Sequence, residues 1–201
     1  MAIHPKALEK AKSRLNIART AIEQLPQCSS KDEFDQCWYT FLVAWKNVYT
    51  TLEQGSKSTA QDRQWFGAKK QERRSDPLLQ YLFQARDSDE HGLEDIVELE
   101  PGGIFIGGGR PGVPQINHVR VNIDENGNSV IEAQSLNDQP LDIQWRPGKI
   151  VLSPVIGRGF VRHDPPAMHL GEAVRNRSPF GVASLGLNYL VALLDEANSR
   201  P

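Results

Sequence analysis

"PGGIFIGGGRPGVP", residues 101–114, decides how the chain divides. Glycine and proline at this density end any helix, and residues on either side follow different periodicities. The glycines Gly107, Gly108, Gly109 and Gly112 raise the question of a phosphate-cradling loop. The lysine and Ser/Thr of a Walker loop are absent, as is the spacing of a dinucleotide fingerprint. Pro111 also lacks the amide hydrogen such a loop would offer a phosphate. The stretch therefore reads as a connector, and the chain as α+β. Residues 1–98 form a four-helix antiparallel bundle, 99–115 a Gly/Pro-rich linker, and 116–201 a small antiparallel β region with a terminal helix.

Upstream the period is helical. Leu8, Ala11, Leu15, Ala18, Ile22 and Leu25 recur at three- and four-residue steps until Pro26. Ser30 with Glu33 has the spacing of a capping box. Phe34, Cys37, Trp38, Phe41, Trp45, Val48, Tyr49 and Leu52 follow as an aromatic stripe, up to a stop at Gly55. At helical spacing such a stripe is bundle core before it is a base-stacking platform. Residues 58–74 read as a third helix ending in Lys69, Lys70, Arg73 and Arg74, either a solvated face or a local phosphate-binding edge. Asp76-Pro77 caps and opens a fourth, with Leu78, Leu79, Leu82, Phe83 and Ala85 on its buried side.

Downstream the period is two. Strands are expected at about 116–123, 129–136, 141–145, 149–156 and 159–163, with Asn126-Gly127 marking a hairpin turn. Ser178-Pro179 opens a last helix to about residue 198, apolar at Val182, Leu185, Tyr189, Leu190 and Leu193.

Composition narrows the function classes less. The 201 residues are 39% hydrophobic and 24% charged, with formal net charge −2, so contact with a polyanion would need a local patch. No apolar run approaches 18 residues, and no membrane association is expected. The N-terminal stretch is charged and amphipathic, unlike a secretory leader. Cys28 and Cys37 are expected as free thiols in a reducing cytoplasm. His163 and His169 frame a proline-containing loop, but the spacing supplies no third ligand, so neither a metal nor a cofactor is expected. A metal-dependent hydrolase drawing on His91, His163 and His169 is the weakest of three readings.

The chemistry-bearing stretch is "ARDSDEHG", residues 85–92. An arginine can grip a phosphate through two donors, and a histidine can take or give a proton near neutral pH. Together they can cleave RNA without a metal, the histidine activating a ribose hydroxyl and the arginine holding developing charge. Five residues along a helix turn about 500°, leaving Arg86 and His91 about 140° apart. Catalysis therefore needs a helix break near Asp87–Asp89, or a second protomer. The same spacing recurs at Arg158 and His163, within an expected strand.

Arginine, a polar residue, then histidine on a helical bundle resembles the HEPN superfamily over about residues 5–95. The resemblance implies Arg86, His91 and Asp87 as catalytic residues of a metal-independent endoribonuclease, or of an RNA- or nucleotide-binding relative. It also implies a homodimer that brings the motifs together. Lys69, Lys70, Arg73 and Arg74 would flank the RNA. The alternative is a non-enzymatic interaction or assembly protein, phage- or defence-related, with a protein partner.

Overall fold

A computed structural model describes residues 3–91, 95–108, 116–123, 129–135, 141–157 and 160–200, with backbone only at 89–91, 116, 123, 129, 130 and 142. The chain folds into two compact units, residues 1–99 with 150–201, and residues 100–149. The α+β class expected from sequence is the one observed.

In the first unit, α1 (Pro5–Gln24) starts at Pro5, where a missing amide hydrogen costs nothing. Its Ala11, Leu15, Ala18 and Ile22 are buried, and its main neighbour is α2 (Lys31–Gly55). Ser30 caps α2 by accepting from the Glu33 amide at 3.2 Å. The Glu33 carboxylate in turn accepts the Ser29 amide at 2.8 Å. The aromatic stripe is core, with Trp38, Phe41, Trp45 and Tyr49 all at 1% exposure or less. Gly55, the last residue of α2, is glycine because of space: a Cβ there would lie 2.5 Å from the Ala7 Cβ. α3 (Ala60–Ser75) buries only Asp62 and Phe66. Its Asp62 carboxylate takes the Thr59 hydroxyl at 2.6 Å and Arg200 at 3.2 Å.

α4 (Pro77–His91) buries Leu78, Leu79, Tyr81, Leu82 and Ala85. α5 (Pro179–Ser199) is capped by Ser178, which accepts the Gly181 amide at 3.1 Å. Gly186 lets it approach its neighbours: a Cβ there would sit 2.4 Å from Leu82 Cδ1, and the Gly186 carbonyl accepts the Trp45 indole N–H at 3.0 Å. α5 has the length and apolarity to cross a bilayer, with mean hydropathy 1.2 in an 18-residue window, yet half of that window is buried inside the protein. Near α4 lie three short strands, β7 (Val155–Ile156), β8 (Arg162–His163) and β9 (Met168–His169). β7 pairs with β8, and β9 with β10 (Glu172–Ala173).

The remaining strands pair in nested order. β1 (Val97–Glu100) joins β6 (Lys149–Leu152), β2 (Gly103–Gly108) joins β5 (Leu141–Arg146), and β3 (Ile116–Ile123) joins β4 (Ser129–Ser135). Residues 103–108, expected within the linker, are thus a strand. Glycine concealed it, because Gly103 and Gly107–Gly108 bracket an Ile104–Ile106 core too short to show a period on its own. Residues 150–201, expected with the β region, belong with the helices because α5 is as apolar as a core helix. The Asn126-Gly127 turn and residues 109–115 lie outside the described residues.

Candidate functional site

α4 is continuous from Pro77 to His91, so its backbone contains no break at Asp87–Asp89. Arg86 and His91 stand five helical positions apart on it, which rotates one about 140° from the other. The His91 side chain lies outside the described residues. Asp87 is buried and bridges α4 to α2: its Oδ1 accepts the Lys46 ammonium and, at 3.3 Å, the Arg86 guanidinium. Burial alone would raise this carboxyl. The hydrogen bond and charge of Lys46, followed by those of Arg86, hold it below the ordinary carboxylate range. Asp87 is therefore a counter-ion and stays ionised.

The basic residues of α3 separate. Lys69 pairs with Glu196 at 2.7 Å and Glu72 at 3.7 Å, and Lys70 pairs with Glu53. Arg74 is exposed. Arg73 stacks over Phe83 at 3.7 Å from the ring centroid, and Lys46 lies 4.3 Å from the same centroid. The structure thus brings Arg73, Lys46 and Arg86 into one neighbourhood around Phe83 and Asp87, and leaves Lys69 and Lys70 bound elsewhere. In the second occurrence of the spacing, Arg158 lies outside the described residues and His163 is half-buried on β8. Among the described residues, no group of three or more His, Cys, Asp or Glu is placed to hold a metal. Cys28 and Cys37 are free, and their sulfurs lie 3.7 Å apart.

A different polar centre is built around Asp76, which sequence reading credits only with capping α4. Asp76 is 6% exposed and gathers three donors. Its Oδ1 accepts the Leu79 amide at 2.8 Å and faces His169 Nδ1 at 3.0 Å; its Oδ2 accepts the Leu170 amide at 2.6 Å. A carboxylate flanked by backbone donors is an acceptor, which puts the Nδ1 proton on His169 and leaves Nε2 for other partners. The rings of His169 and Tyr189 meet edge to face, centroids 6.2 Å apart. Burial first, and then Glu72, push the Tyr189 phenol well above its ordinary value, so it stays neutral.

Backbone strain marks the same place. Between β9 and β10 the chain reverses through Leu170 (φ 48°) and Gly171 (φ 85°). Positive φ at two successive turn residues suits the twist of a tight hairpin, but leucine pays for it sterically, by about 1 kcal/mol or more. The bond from the Leu170 amide to Asp76 holds that conformation in place. Beside the hairpin and the start of α5 lies a cleft of about 440 Å³, lined by His169, Glu172, Arg175, Asn176, Phe180 and Ser184 among others. Its volume is in the small-molecule range. The signal available in the sequence was Asp76 at the cap and a histidine before a glycine turn, but 93 positions separate them.

Comparison of the chain with family models, with curated proteins and with solved structures gives no match in any of the three.

Proposed function

We propose that the chain is a non-enzymatic interaction protein whose β ribbon docks on protein, in the first place on a second copy of itself. The observation that carries this reading is the sidedness of its strand pairs. Residues directly opposite in an antiparallel pair share a face. Ile104 lies opposite Trp145 and Ile106 opposite Ile143, while Phe105 lies opposite Gln144. One face is therefore Ile104, Ile106, Ile143 and Trp145. In the β3–β4 pair, Val119 faces Ala133 and Val121 faces Ile131, while Arg120 faces Glu132 on the other side. A sheet with one apolar and one polar face ordinarily packs its apolar face. Here Trp145 is 69% exposed and Val121 53%, and a two-stranded ribbon has little stability without a covering layer.

Sedimentation of the intact protein over a concentration series tests the proposal. Dimers should form, and Trp145→Ser with Ile143→Ser should return them to monomers while the helical melting transition is unchanged. A monomer at every concentration, or a dimer indifferent to the double change, refutes it.

A second reading, an HEPN-like RNA-binding protein or metal-independent endoribonuclease, is favoured by Lys46 and Arg73 over Phe83, with Arg86 on the Asp87 carboxylate that also takes Lys46. In it, a second protomer supplies the partner for each motif, because Arg86 and His91 stand about 140° apart on a continuous α4. Cleavage of RNA in the presence of chelator, abolished by His91→Ala, is the expected result. RNA left intact by the wild-type protein across varied substrates overturns it.

A further inference from the structure

We infer that the cleft between the β9–β10 hairpin and α5 is a binding site for a small 2-hydroxy acid, with His169 receiving the hydroxyl. Three features of the cleft specify that chemistry, and none belongs to the ribbon or to the cluster around Phe83.

The first is the fixed histidine. Asp76 is buried and its oxygens are taken up by Leu79, Leu170 and His169, so the imidazole is oriented from behind. In the tautomer with the proton on Nδ1, the second ring nitrogen, Nε2, is an acceptor, and a ligand hydroxyl is the complementary donor. A histidine that only tied the hairpin to α4 would not need to line a cavity, and this one does.

The second is the charge at the rim. Arg175 lines the cleft, is exposed, and makes no ion pair among the described residues. A guanidinium in that position matches a carboxylate in two directions. Asn176 stands next to it, and its Oδ1 is occupied by the Ser178 amide at 3.1 Å. That leaves the Asn176 side-chain amide hydrogens as donors to the same anionic head. Among the described residues Glu172 is the one acid in the lining, and it opposes an anion.

The third is the apolar wall. Val174, Phe180 and Leu185 form the apolar part of the lining, with Ser184 a hydroxyl beside them. Val174 is buried, whereas Phe180 is 42% exposed, a large aromatic surface left open at a cavity mouth. A compact hydrocarbon body covers that surface. The strain at Leu170 fits the assignment, since a left-handed leucine beside the histidine is maintained by the bond that also orients the site.

Titration of the whole protein with mandelate, phenylacetate and benzyl alcohol, followed by NMR of the His169 ring, tests the inference. Mandelate has the acid, the hydroxyl and the apolar body; the other two each lack one polar group. Saturable shifts should appear with mandelate, weaker ones with phenylacetate, and none with benzyl alcohol. Arg175→Ala should weaken mandelate about tenfold or more, the loss expected for a charged hydrogen bond. Glu172→Gln should tighten it. His169→Gln should remove the preference for mandelate over phenylacetate. Because Arg175 and Glu172 are exposed, those two variants report on the site even where His169→Gln disturbs the hairpin. No saturable shift with mandelate, or binding indifferent to Arg175→Ala, overturns the assignment.

Discussion

Replacing Asp76 by alanine removes one side chain and strands donors on two elements. The Leu79 amide loses its cap, a change worth about 1 kcal/mol. The Leu170 amide and His169 Nδ1 lose buried acceptors, at about 1–3 kcal/mol each where no water replaces the carboxylate. Partial relaxation of the hairpin brings the sum to roughly 3–5 kcal/mol, and at about 2–4 °C per kcal/mol the first unit should melt about 6–20 °C lower. Urea denaturation followed by far-ultraviolet circular dichroism reads the loss in the helices. Asp76→Asn keeps one acceptor oxygen and should fall between alanine and wild type. A loss under about 1 kcal/mol for Asp76→Ala would mean that water replaces the carboxylate freely, and the picture of a carboxylate organising cap and hairpin together would be wrong.

Acid should weaken the first unit by a specific route. Asp62 is held low by the Thr59 hydroxyl and then Arg200; Asp87 and Glu196 are raised by burial but lowered further by Lys46 and Lys69 respectively. Carboxyls lower in the folded than in the unfolded chain contribute stability that is complete above the unfolded value, about pH 4, and lost as pH falls through the folded values. Lys46→Met should shrink that acid-dependent part of the denaturation curve, and an unchanged curve would count against Asp87 as its source. Gly55→Ala gains some helix propensity but places a Cβ 2.5 Å from the Ala7 Cβ, so a net loss of about 1–2 kcal/mol is expected in thermal melts; a rise in stability refutes the close approach. Oxidised glutathione should convert Cys28 and Cys37 to an internal disulfide, releasing two reduced glutathiones. Burial and then Cys37 push the Cys28 thiol up to about 11, so the reaction should quicken in alkali. Mass spectrometry finding only mixed glutathione adducts would contradict it.

Much of the helical half was legible because its signals are local. Ser30, Asp76 and Ser178 each cap the helix that follows them, and the Phe34–Leu52 stripe has the period of a buried face. The alternation of Val119 and Val121 with Arg120 likewise announced a strand. The candidate sites were less legible, for two physical reasons. Motif spacing carries no information on helix continuity, and α4 continues through the point where the Arg86–His91 pairing needed a turn. Long-range polar pairing leaves no period at all: nothing around His169 indicates that its partner is Asp76, and the decisive donor at Leu170 is a backbone amide that every residue but proline has.

The division of the first unit across the chain bears on the order of its synthesis. α1 to α4 are made before residues 100–149, yet their core is completed by α5, whose Gly186 carbonyl receives the Trp45 indole and whose backbone rests on Leu82. A nascent chain ending near residue 150 thus exposes Trp45, Leu82 and the bundle seam while an entire second unit emerges from the ribosome. During that interval the apolar seam is a target for chaperones and for the same surface on neighbouring nascent chains. Force profiling of arrested translation should register the main folding event only after α5 clears the exit tunnel; a full-strength signal before α5 is made would show that the four helices close without it.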